Sequence, residues 1–180
     1  MIAGWLKMDL KYRIFYFVVV LSFLWGNTED NPRGFIVNIG DSAPDFSMKL
    51  TTGETLKLSE LKGSIVILQF TASWCSVCRL EMPHLEKDIW KKYKEKNVVL
   101  IGIDRDEPLE TVINFKKQMK TTYPLALDPG AEIFSLYAKR NSGVTRNIVI
   151  NQDGKIVFLT RLFEENEYKQ MLNIIENLVY

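Results

Sequence analysis

The stretch Ser64-Ile-Val-Ile-Leu-Gln-Phe-Thr-Ala-Ser-Trp-Cys-Ser-Val-Cys78 decides how the rest of the chain is read. Its first part, Ser64 to Phe70, is a nearly continuous β-branched and aromatic run, the pattern of a central strand buried on both faces. Cys75 and Cys78 follow at the start of a segment with helical spacing. Residues three apart on a helix are neighbours, so the two sulfurs come within disulfide reach. Cys75 falls at the helix N-terminus, where unpaired N–H groups and the macrodipole favour an anion. Its thiolate, the reactive form, is thereby stabilised. Cys78 lies one turn in, placed to attack a mixed disulfide on Cys75.

Other uses of two such cysteines exist: half a zinc site, a structural disulfide, or two inert buried thiols. Zinc usually takes four ligands, and the one histidine, His84, falls on another side of the same helix, so no metal is expected. A bond closing so small a ring restrains the unfolded chain little. The adjacent Trp74 and the helix start argue against inert thiols. A C-x-x-C between a strand and a helix favours redox chemistry.

Outward from this stretch, the chain alternates strands and helices. Phe46, Met48 and Leu50 alternate with polar residues, Thr52-Gly-Glu54 is a turn, and Thr55 to Ser59 alternate again, which predicts an N-terminal β-hairpin. A helix is predicted from about Val77 to Tyr93, with Leu80, Leu85, Ile89 and Trp90 as its stripe and Pro83 as a kink. Asn97 to Ile103 reads as a second buried strand and Leu109 to Met119 as a helix. Asp128-Pro-Gly130 is a turn, followed by a short helix over Ala131 to Tyr137. Asn147 to Ile150 and Lys155 to Leu159 flank Asn151-Gln-Asp-Gly154 as a hairpin, and Glu165 to Val179 closes the chain as a helix. This order predicts an α/β fold, a mixed central sheet with helices on both faces.

At 180 residues, the chain has room for one ordinary domain plus a leader. Its 23 Lys and Arg against 22 Asp and Glu give a net charge of +1, which offers no electrostatic case for nucleic acid. Two cysteines exclude a multi-disulfide scaffold. Residues 1–33 differ from the rest. Lys7, Lys11 and Arg13 precede the apolar run Ile14–Trp25, and a polar, turn-rich segment follows. That is the layout of a signal peptide, and the run is shorter than the roughly 20 residues of a membrane span. An uncleaved anchor is the other reading, since snorkelling Lys11 and Arg13 lengthen the effective span. Either way the domain, residues 34–180, is expected outside the cytoplasm, in the periplasm or cell envelope. Membrane contact is expected only through the N-terminal segment.

The segment Phe70-Thr-Ala-Ser-Trp-Cys-Ser-Val-Cys-Arg-Leu-Glu-Met-Pro83 resembles the active-site segment of the thioredoxin superfamily, and most of all its TlpA/ResA type. Asp41-Ser-Ala-Pro-Asp-Phe46 and Asn151-Gln-Asp-Gly154 fit that type too. The resemblance implies a thioredoxin-like fold and an extracytoplasmic thiol-disulfide oxidoreductase, a reductant rather than an oxidant, of the kind that serves cytochrome c maturation. It implies a protein thiol or disulfide client, a membrane-bound or soluble thiol electron donor, and no cofactor. Cys75 matches the attacking thiol, Cys78 the resolving thiol, and Glu81 a glutamate of this type. Glu81 sits one helical turn beyond Cys78, where a carboxylate could accept its proton. Gln69 stands where thioredoxin carries a buried Asp, so that proton relay is absent.

The departure is Gly143-Val-Thr-Arg-Asn147, where the superfamily's cis-proline is replaced by Thr145. A non-proline cis bond costs about 3 kcal/mol, so a trans bond is expected. Trp74, Thr145 and Arg146 are the candidate substrate-binding residues, with Arg146 a candidate to lower the Cys75 pKa. Thr-Arg here is similar to peroxiredoxins, which makes a thiol peroxidase the second enzymatic reading. Leu68 and Ala72 stand where that family carries a Pro and a Thr or Ser. A non-catalytic binding module of the same fold is the third.

Overall fold

The computed structural model describes residues 31–180. The predicted leader falls largely on residues 1–30, outside the described residues. Seven strands form one sheet: β1 (Ser47–Leu50), β2 (Thr55–Lys57), β3 (Ile65–Thr71), β4 (Val98–Arg105), β5 (Leu125–Asp128), β6 (Arg146–Ile150) and β7 (Ile156–Arg161). Their order is β2-β1-β5-β4-β3-β6-β7. The central β5-β4-β3 pairs are parallel, while β6, β7 and the β1–β2 hairpin are antiparallel. The α-helices are α1 (Ser76–Leu85), α2 (Leu109–Met119) and α3 (Glu165–Val179). This is the expected α/β architecture with its N-terminal hairpin.

β3 shows why the sheet centre forms. All seven of its residues are buried, as an apolar strand paired on both sides requires. Ile65 and Ile67 pack with Met82 and Leu85 of α1, Phe115 of α2 and Met171 and Ile175 of α3. Val66, Leu68 and Phe70 point the other way, into a second cluster with Met48, Phe134 and Tyr137. Side chains alternate across a strand, so each face of β3 belongs to a different cluster. Helices were expected on both faces. The three α-helices all pack in the first cluster, and the second face is covered by short 3₁₀ turns and the segment around Phe35 and Val37.

Three expectations change. β5 was not anticipated: it is four residues long and follows Pro124, too short for alternation to show. The helix expected through Tyr93 is α1 up to Leu85, after which a π-turn (Glu86–Trp90) leads into one α-turn (Lys91–Tyr93). Pro83, which has no N–H to donate, lies inside α1 just before that wider turn. Leu80, assigned to the buried stripe, is 66% exposed, and Met82, Leu85, Ile89 and Tyr93 form the stripe instead. Among the described residues no helix is long and apolar enough to cross a membrane.

Gly102 of β4 pairs with Gln69 of β3 and Leu125 of β5. A Cβ there would collide with Leu125 Cδ2 and lie 3.4 Å from the Tyr123 ring. Gly102→Ala is therefore expected to destabilise the domain by about 1–3 kcal/mol through overpacking, read as a lowered urea midpoint at unchanged slope. An unchanged midpoint would show that Leu125 repacks freely.

Candidate active site

β3 ends at Thr71, and the chain turns at once into α1. Cys75 N–H donates to Ala72 O at 3.1 Å, closing the turn. Cys75 is the N-cap of α1, in an extended conformation, and its Sγ accepts the Cys78 N–H at 3.1 Å. Sulfur here takes the place of the usual capping oxygen. Ser73 is gripped from across the sheet edge: its N–H and its hydroxyl both donate to the Glu107 carboxylate at 2.5 Å. Beneath this loop, burial first and then the Glu107 carboxylate push the Asp104 carboxyl up to about 8. Arg79 Nε donates to Ser73 O, tying the helix back to the same loop.

Cys75 and Cys78 form a disulfide, with Cα atoms 5.3 Å apart. Cys75 retains 8% of its surface and Cys78 none. Cys75 is therefore the member of the pair that a partner can reach. Trp74 beside it is 65% exposed. Thr145, just before β6, is buried against the pair, its Oγ1 lying 3.0 Å from Cys75 Sγ and 3.3 Å from Cys78 Sγ. Among the described residues no peptide bond is cis, so the bond before Thr145 is trans as expected.

Glu81 is buried on the sheet-facing side of α1, together with Cys78. Gln69 and Asn147 are direct cross-strand partners on β3 and β6. Their amides clamp the carboxyl from two sides, Asn147 Nδ2 donating to Oε1 at 2.6 Å and Gln69 Nε2 to Oε2 at 3.3 Å. Tyr123 Oη donates to Gln69 Oε1 at 2.8 Å, and Asn147 Nδ2 also donates to Thr160 Oγ1 at 2.8 Å. Burial pushes the Glu81 carboxyl up to about 7, opposed by the two amide donors and assisted by the Glu167 charge. A carboxyl with that pKa exchanges protons near neutrality. In the disulfide Cys78 has no proton to offer it.

Arg146, a candidate to lower the Cys75 pKa, directs its hydrogen bonds elsewhere. It is cross-strand partner to Phe70, one residue along from Asn147, so its side chain points to the opposite face. Its guanidinium donates to Ser142 Oγ and Gly143 O and lies between the Phe35 and Phe134 rings, 4.7 and 4.9 Å from their centroids. The sulfurs are not among its partners. Sequence reading passed over Asn147, Tyr123, Thr160, Asp104 and Glu107, and treated Gln69 only as a lost relay. The available signal was polarity inside apolar strands, as with Gln69 in Ile65–Phe70, because buried polar groups require partners.

The profile of the AhpC/TSA family matches residues 39–159. The chain is 35% identical over 153 residues to a thiol-disulfide oxidoreductase ResA of Bacillus cereus, covering 82% of this chain and 87% of that one. It is 29% identical over 141 residues to ResA of Bacillus subtilis (strain 168), covering 78% and 77%. Among solved structures, it superposes with a TM-score of 0.79 and 56% identity on a proposed protein disulfide isomerase from Bacteroides thetaiotaomicron, covering 81% of this chain and 92% of that one. A proposed thiol:disulfide interchange protein DsbE from Chlorobium tepidum follows at 0.71 and 28%, covering 80% and 99%. With the C-x-x-C pair in place, the thiol-disulfide oxidoreductase reading stands over the peroxidase and the non-catalytic module. The chain belongs to the AhpC/TSA family, with the ResA-type thiol-disulfide oxidoreductases as its relatives, and shares their thioredoxin-like fold.

Proposed function

We propose that this oxidoreductase acts as a reductant of protein disulfides, with Cys75 attacking and Cys78 resolving. The observation that carries the assignment is the N-cap: Cys75 Sγ accepts the Cys78 N–H, and Cys75 is the more exposed of the two residues. The Cys75 thiolate attacks one sulfur of a client disulfide and expels the other as a thiolate. Cys78 then loses its proton and attacks Cys75 Sγ, expelling the second client sulfur. Two electrons pass to the client, and the enzyme keeps the disulfide. Negative charge on Glu81 beside Cys78 disfavours the reduced, anionic pair, which supports the reducing direction. Trp74, the exposed sequence neighbour of Cys75, and Thr145, which lies against Cys75 Sγ, would contact the client, while Arg146 holds the Gly143 carbonyl in the backbone leading to Thr145. An upstream thiol donor, membrane-bound or soluble, would restore the dithiol.

Alkylation of the reduced protein at mildly acidic pH should label Cys75 first, since helix-start thiolates of this motif have pKa values about 1–5 units below a free thiol. Cys75→Ala should abolish insulin reduction. Cys78→Ser should accumulate a mixed disulfide on Cys75, from which the client is identified. Faster labelling of Cys78, or full activity in Cys75→Ala, reverses or removes these roles.

Glu81 is proposed as the proton acceptor for Cys78. The resolving step should accelerate as pH rises through about 7. Glu81→Gln should flatten that limb and slow the step by about a hundredfold. Stability provides an independent reading. The folded carboxyl holds its proton to higher pH than the unfolded one, so stability falls as pH rises from the unfolded value of 4.5 to about 7 and then levels. Glu81→Gln should remove that fall as well. Loss of the stability slope with an unchanged rate profile would make Glu81 a buried titrating group without a part in the proton transfer.

Residues 1–33 are proposed as the export signal or anchor of a domain spanning 34–180, supported by the basic flank and apolar run of Ile14–Trp25. Expressed from its full gene in a Gram-negative host, the domain should be found in the periplasm or held on the envelope. Recovery of the full-length chain in the cytosol rejects export.

A further inference from the structure

The residue standing in the cis-proline's place brings a hydroxyl to both sulfurs. Thr145 Oγ1 lies 3.0 Å from Cys75 Sγ and 3.3 Å from Cys78 Sγ. The sulfurs of a disulfide carry no hydrogen, so in this state the hydroxyl is the donor. The group is held in place from behind. Thr145 O accepts the Leu162 N–H at 3.2 Å and Arg161 Nη1 at 3.1 Å. Leu162 takes a left-handed φ of 68° to present that N–H, a conformation disfavoured for a branched side chain. A Cβ at Gly143 would collide with the Arg161 guanidinium, so glycine leaves the room that Arg161 occupies. Thr145 itself is 2% exposed, so water does not compete for its hydroxyl.

We propose that Thr145 is a catalytic residue of the exchange reaction, its hydroxyl donating a hydrogen bond to whichever of the two sulfurs carries the negative charge. The proposal rests on the cysteine roles given under Proposed function. In the reduced enzyme the charge sits on Cys75, and the hydroxyl stabilises the attacking thiolate. When a donor thiolate attacks Cys75 Sγ of the disulfide, a new S–S bond forms there and the Cys75–Cys78 bond breaks. The electron pair of that bond leaves on Cys78 Sγ. The same hydroxyl, by rotation about its C–O bond, then serves the leaving thiolate before it is protonated. A proline has no donor and could do neither. Hydrogen bonds to charged groups are among the stronger ones, so one donor can move both steps.

The test measures Cys75 titration by thiolate ultraviolet absorbance in a Cys78→Ala background, and turnover with a model disulfide in the otherwise native chain. Thr145→Val preserves shape and removes the donor. It should raise the Cys75 midpoint by about one to two units, and it should slow both half-reactions by about 10- to 100-fold. Thr145→Ser should restore most of each. Thr145→Ala is measured in parallel, so that a misfolded valine variant leaves a second donor-free protein to read. A midpoint and both rates unchanged in either folded donor-free variant overturn the proposal. A slowed rate with an unmoved midpoint and unmoved Cys78 departure overturns it too, leaving a packing role. Failure of the underlying reading is separately visible: Cys75 would then show no depressed midpoint with threonine still in place.

Discussion

The bond from the Cys78 N–H to Cys75 Sγ couples the reactive sulfur to the peptide dipoles of a whole helix. Everything around it serves to place that cap. β3 must end where it does, and it is locked by seven parallel pairs with β4 and five antiparallel pairs with β6. The turn must be tight, which the Ala72 carbonyl secures, and the loop must not swing, which Glu107 and Arg79 prevent by holding Ser73 from two sides. The sheet thus acts as a rigid base, and the chemistry happens where its central strand stops.

Behind the cap lies a second constraint, a carboxylic acid that keeps only 1% of its surface exposed. Gln69 and Asn147 face each other across the β3–β6 ladder, so the register that pairs the strands also pairs the two amides around Glu81. Amide N–H groups stabilise the charged form and burial destabilises it. Burial prevails, which leaves the proton exchangeable near neutrality. One residue back along β6 the side chain points the other way. Asn147 serves the acid, and Arg146 is carried to the other face, between two aromatic rings that accept its charge. Thr145, at the strand's start, is left beside the sulfurs.

Most of the fold was legible because its signals are local. The limits of α2 and α3 were read to the residue, from amphipathic stripes long enough to show a helical period. The hairpins were legible through their turn residues. β5 was not, because four residues after a proline carry too little pattern. The stripe of α1 was misread at Leu80, since a leucine looks the same whether it faces the core or solvent; only packing separates it from Met82. Of the site, the cysteines were legible as a C-x-x-C between a buried strand and a helix, while Glu81 was singled out by the family resemblance, with its place one turn beyond Cys78 in support.

The sequence by itself determined that two thiols share a helix start after a buried strand and that a carboxyl follows one turn later, and the family resemblance added that threonine stands in a proline's place before β6. Those are relations over a few residues, governed by local geometry and capping. The tertiary structure decided what those groups meet. Thr145 lies 70 residues from Cys75 and touches it, Asn147 lies 66 residues from Glu81 and clamps it, and Arg146, which stands between Thr145 and Asn147 in sequence, reaches neither the sulfurs nor the acid. Such meetings depend on strand order and register, which are set by the packing of the whole sheet and which no short window of residues encodes.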